Sequence, residues 1–152
     1  CQNWGDQNCD DTYAGIYLDG NPNDDTFDSG DQGFGSLLEE TTQYVNSLAT
    51  DYAFGDFVNG SVSARDGMLT FLWYTTRYLK MAREQYPSAY TSISDSCWRE
   101  AILTVWGRAW LYLGITENMP QLGISDDYLF ELATDPVLLN EIDLLREMEG
   151  CL

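Results

Sequence analysis

Residues 28–39 read Asp28-Ser29-Gly30-Asp31-Gln32-Gly33-Phe34-Gly35-Ser36-Leu37-Leu38-Glu39. A calcium loop of the EF-hand kind wants an acid at its first position and a glycine at its sixth. It also wants a backbone carbonyl at the seventh and a bidentate glutamate at the twelfth. Asp28, Gly33, Phe34 and Glu39 meet these demands. Asp28, the Phe34 carbonyl and Glu39 are therefore candidate metal ligands, and calcium is the one cofactor the chain suggests. The pattern departs from the ideal at Gly30, Gln32 and Gly35, which stand at its third, fifth and eighth positions. Asn21-Pro22 and the aspartates around it deny the loop a preceding helix. The competing reading is a glycine-rich turn running into an ordinary helix start. Asp19, Asn21, Asn23, Asp24 and Asp25 offer further oxygen ligands for a cation.

Other chemistry finds less material. The chain has no histidine, so a Ser-His-Asp or Cys-His catalytic set cannot be assembled. Cys1, Cys9, Cys97 and Cys151 form no CxxC and fit no zinc motif. Their even number points to two disulfides, with three pairings open. A Cys97–Cys151 bond would staple the last helix to the core, whereas bonds from Cys1 and Cys9 would tie the amino-terminal arm down. Each is worth about 2–4 kcal/mol. The acid pairs Glu39-Glu40 and Asp126-Asp127 could serve a carboxylate-based hydrolase. They read better as solvated helix starts, where the helix dipole favours acids. No glycine-rich phosphate loop is present. Asn59-Gly60-Ser61 is a glycosylation sequon, with Asn59 as acceptor. On this reading the protein is not an enzyme.

Twenty-five acids against seven bases leave a formal net charge of −18 over 152 residues. The first base is Arg65, so residues 1–64 carry −12 and the remainder −6. Such a surface repels nucleic acid, whose binding depends on cationic side chains, and it repels anionic membranes. No run of about twenty apolar residues could span a bilayer. The chain opens on Cys1 instead of Met, which suggests a processed, exported protein in an extracellular or other oxidising compartment. A lipid anchor on Cys1 is the alternative.

The elements that would position these groups follow from turn signals and periodicity. The chain reads as one domain, 1–152, with an irregular acidic arm over 1–35 and a helical body over 36–152. Eight aspartates and repeated turn pairs mark the arm. Tyr13, Ile16, Tyr17 and Leu18 are its apolar cluster, suited to pinning it on the body. Ser36 and Glu39 make a capping box for a first helix. Ser63 caps a second, which runs to about Tyr86 and is apolar almost all round, as suits the centre of a bundle. Asp95 caps a third, ending at Leu113 with Gly114 as its C′ residue. Gly107 interrupts that helix at a cost of about 1 kcal/mol, which points to close packing against a neighbour. Ser125 caps a short helix through Ala133. Asp135-Pro136 opens the last, and Gly150 ends it. Trp73, Trp98, Trp106 and Trp110 fall on the two central helices as core, or as the walls of a pocket for an apolar ligand.

The expected fold is all-α, a four- to five-helix bundle-like domain with an acidic arm. The expected function is that of an extracellular interaction or structural protein: a secreted ligand, an accessory subunit or a surface-polymer unit, meeting a protein partner or itself. The alternative is a small binding protein for calcium or an apolar ligand.

Overall fold

The computed structural model describes residues 33–57, 64–124 and 126–151. Every regular element among the described residues is helical. Six α-helices follow in chain order: α1 (Gly33–Ala53), α2 (Ala64–Gln85), α3 (Pro87–Ile93), α4 (Ser96–Ile115), α5 (Asp126–Ala133) and α6 (Pro136–Glu149). Short 3-10 turns at Gly55–Phe57 and Pro120–Leu122 close α1 and follow α4. No helix among the described residues is long and apolar enough to cross a membrane.

The all-α class holds, with one helix more than expected. The extra one is α3, which starts directly at Pro87. Proline ends α2 because its ring clashes with the preceding turn, yet its fixed φ suits the first position of a new helix. The first helix also starts earlier than the capping box implied. The chain enters α1 through Gly33 at φ +73°, a conformation that favours glycine. Phe34 is already in the core, against Tyr78 and Trp98 at 5.2 and 5.6 Å between ring centroids. Burial of that ring stabilises a first turn ahead of Ser36, so the helical body begins at 33 and not at 36. At the far end of α4, Gly114 lies inside the helix and Thr116 is the cap.

Other boundaries follow local chemistry closely. Asp95 accepts from the Trp98 N–H at 3.0 Å, and Asp135 accepts from the Val137 N–H at 2.8 Å. Gly150 closes α6 in the left-handed region, φ 73° and ψ 27°. The caps expected at Ser63 and Ser125 lie outside the described residues.

Helix α2 is the centre. Every residue from Ala64 to Thr76 is buried. Its threonines solve the polar problem locally: Thr70, Thr75 and Thr76 donate to the carbonyls of Asp66, Phe71 and Leu72, four residues back. Helix α1 runs antiparallel to α2, as Phe34 lies by Tyr78 and Tyr44 by Phe71. Helix α4 runs parallel to α1, with the starts joined by Phe34 and Trp98. Midway, Arg108 donates to Asn46 Oδ1 at 2.8 Å. Ile102, Val105, Trp106, Ala109 and Leu113 bury the inner face of α4.

The two helical glycines 67 and 107 invert the expectation from sequence. Gly67 is the close contact: a Cβ there would sit 2.1 Å from Tyr44 Cε1. Gly107 faces outward, and a Cβ there would meet nothing within 4 Å. Close packing is therefore not the reason for Gly107.

Candidate functional site

Polar bonds fasten the helices to one another in several places. Arg83 on α2 forms a two-pronged bond to Glu141 on α6, Nε to Oε2 at 2.8 Å and Nη2 to Oε1 at 2.7 Å. Glu141 is 1% exposed and Arg83 35%, so the carboxylate is carried inward while the guanidinium keeps water on one side. That bond and the attraction of Glu141 hold the Arg83 guanidinium above its ordinary pKa. Arg65 and Asp66, buried at the start of α2, grip the chain beyond α4. Arg65 donates to the Thr116 carbonyl at 2.6 Å, and Asp66 accepts from the Ile124 N–H at 2.9 Å. Arg99 near the start of α4 bonds Glu149 at the end of α6 at 2.7 Å.

A groove of about 520 Å³ runs along the α1–α4 seam. Leu38, Ala101 and Val105 supply apolar lining, and Glu39, Glu100 and Cys97 line it with polar groups. Beyond it, where α1 and α4 end, apolar side chains face outward. Asn46, Thr50 and Phe54 continue one stripe of α1, while Arg108, Leu111 and Ile115 continue one stripe of α4. Arg108 and Asn46 lock the two stripes together. The turn at Gly55 lies against the turn after α4: a Cβ at Gly55 would sit 2.8 Å from Met119 Cε. Phe57 is 79% exposed, Leu111 60%, Phe54 59% and Ile115 42%. Four large apolar side chains are thus exposed where α1 and α4 end, and exposed apolar groups gathered near one end of a fold mark candidate interaction sites. A second cleft, of about 360 Å³, opens between α2, α4 and α5, where Trp110 meets Phe130 edge-on at 5.7 Å. Leu69 and Leu113 line it, together with the charged Arg65, Glu117 and Asp127.

The residues proposed from sequence are dispersed. Phe34 is helical and buried, and Glu39 is exposed at the groove. The helix starts at the sixth position of the suggested calcium loop, so the backbone at Phe34 is helical. Asp28 lies outside the described residues, and no cluster of metal-ligating side chains occurs among the described ones. Cys97 and Cys151 are exposed free thiols, not joined to one another. The staple from α4 to the chain end is the Arg99–Glu149 ion pair. Cys1, Cys9, Asn59 and the cluster Tyr13, Ile16, Tyr17 and Leu18 lie outside the described residues. Trp73 and Trp106 are core, whereas Trp98 and Trp110 are half-buried at the edges. Trp73 also carries the Arg77 guanidinium over its face, 5.0 Å from the ring centroid.

The apolar end face was missed from sequence, although a signal exists. Leu111 falls off the buried stripe of α4, and Phe54 and Phe57 occupy a turn where polar residues are usual. No protein-family model, curated protein or solved structure matches the chain.

Proposed function

We propose that this protein is an extracellular, acidic helical interaction protein that meets a protein partner through the apolar face at the ends of α1 and α4. The exposure of Phe54, Phe57, Leu111 and Ile115 at one end carries the reading. Exposed aromatics and aliphatics in one place are costly to solubility, and burial against a partner returns about 25 cal/mol per Å² of apolar area. The net charge of −18 contributes selectivity: a partner with matching basic groups is drawn in, and acidic surfaces are turned away.

Native mass spectrometry of the protein from its source, with and without a chelator, tests the reading. The expected result is a complex with a second chain that Phe57→Asp with Leu111→Asp abolishes while the helical circular dichroism stays unchanged. A monomer under every condition, or a complex indifferent to both substitutions, refutes the role of this face. Dissociation by the chelator would move calcium from bystander to bridge.

A second reading is supported by the cleft between Trp110 and Phe130, whose aromatic edges and leucines suit the apolar body of a small ligand, with Arg65, Glu117 and Asp127 as polar contacts at its walls. The same spectra would then show a monomer carrying a small extra mass, and Trp110→Ala would remove it.

A further inference from the structure

The cleft between α2, α4 and α5 joins aromatic rings to acids. Its volume of about 360 Å³ falls at the small end of ligand pockets, about 300–1,000 Å³. Leu69 and Leu113 supply an aliphatic wall beside the Trp110–Phe130 pair. Phe130 is 45% exposed and Trp110 is half-buried, so both rings keep part of their surface toward water. The face of an aromatic ring carries negative potential and attracts a cation, that of tryptophan most strongly. The chain makes this contact once within itself, with Arg77 over Trp73.

The charges at the cleft have the matching sign. Glu117 and Asp127 line it, and both are exposed. The ion pairs among the described residues engage Glu84, Glu141, Asp143 and Glu149, and neither cleft carboxylate is one of these. Arg65 opposes the two acids from the buried wall, where its Nη1 donates to the Thr116 carbonyl at 2.6 Å. Its chain neighbour Asp66 is buried as well and accepts from the Ile124 N–H. One base and three acids here sum to −2, in a chain of −18. Such a field concentrates cations and turns anions away. Gly114 keeps the space open. It lines the cleft from inside α4, its φ is not positive, and a Cβ there would meet nothing within 4 Å. A longer side chain at this position would enter the cleft.

We propose that this cleft binds a small organic cation, an ammonium or quaternary ammonium group on an apolar body. The cation lies against the Trp110 and Phe130 rings, with the Glu117 and Asp127 carboxylates as counter-charges, and the body packs on Leu69 and Leu113. This rests on the small-ligand reading of the cleft, to which the walls add the sign of the ligand.

Probes that share one hexyl body separate sign from shape: hexyltrimethylammonium, hexan-1-ol and hexanoate. Heteronuclear NMR titration of the full chain, read at the Trp110 indole N–H and the backbone amides of Gly114 and Phe130, gives each affinity. The ammonium is expected to bind about tenfold more tightly than the alcohol, and hexanoate more weakly than either. High salt should shrink that advantage. Glu117→Gln with Asp127→Asn should remove most of it and leave the alcohol unaffected. Gly114→Leu, which fills the cleft, should weaken the ammonium and the alcohol together while the helical circular dichroism persists. Equal affinity for ammonium and alcohol, or a preference for hexanoate, would overturn the cationic assignment and leave the cleft a small-ligand site. Shifts from none of the probes, or binding undiminished in Gly114→Leu, would overturn the assignment and the small-ligand reading together.

Discussion

Replacing Gly67 and Gly107 by alanine, one at a time, separates two effects that the sequence superimposes. Both glycines are helical, and neither has a positive φ. Alanine therefore gains the same helix propensity at each, about 0.8–1.0 kcal/mol. At Gly107 the new methyl enters open space, so the full gain is expected. At Gly67 the methyl falls 2.1 and 2.3 Å from Tyr44 Cε1 and Cδ1. That ring is not free to step aside. It stacks on Phe71 at 5.0 Å and 21° between planes, and Phe71 meets Tyr74 edge-on at 5.6 Å. Relief means moving α1 away from α2 or pushing an aromatic stack into filled space. Overpacking of this kind costs about 1–3 kcal/mol. Because the propensity gain is common to both, the difference between the variants isolates that cost. Urea titration followed by circular dichroism at constant m reads it directly. Gly107→Ala should unfold at higher urea than the parent, and Gly67→Ala at least about 1 kcal/mol below Gly107→Ala. Equal midpoints for the two variants would refute the packing argument, and a destabilised Gly107→Ala would refute the claim that position 107 is open.

The Arg83–Glu141 bond predicts an asymmetry between its partners. Arg83→Ala strands a carboxylate that is 1% exposed and should cost about 3 kcal/mol. Glu141→Gln leaves a guanidinium with access to water and should cost less than that, about 1–2 kcal/mol, both by urea titration. An equal loss in the two variants would contradict the burial argument. Tyrosine ionisation supplies a pH dependence. Burial holds the phenols of Tyr74 and Tyr90 above their ordinary pKa, and for Tyr90 the Glu141 carboxylate adds to it. The folded state thus favours the neutral phenol. Its contribution is complete below the unfolded value, about 10, and is lost as pH rises from there through the raised folded values. Absorbance at the tyrosinate band should show these two titrating after the exposed tyrosines, together with alkaline unfolding. Both hydroxyls are buried without a hydrogen-bond partner among the described residues, so Tyr74→Phe should be neutral or stabilising and should delay that unfolding.

Local chemistry determined the helical class and several boundaries. Asp95, Asp135 with Pro136, and Gly150 act through groups within four residues of themselves, so their roles are legible in the chain. The nearly all-round apolarity of Met68–Tyr74 likewise told its own place, because a segment with almost no polar face has nowhere to go but the centre. The two glycines could not be told apart that way. Whether a missing Cβ matters depends on Tyr44, twenty-three residues distant in the chain, and only the α1–α2 packing brings that ring to Gly67. The same holds for Glu141, which reads as one more acid until α6 is laid beside Arg83. Phe54 and Leu111 come to the same end of the fold only once α1 and α4 lie parallel. Composition and short-range spacing settle the helical nature of most segments. Which distant segments meet is decided by the simultaneous burial of every apolar face, and no window along the chain contains that information.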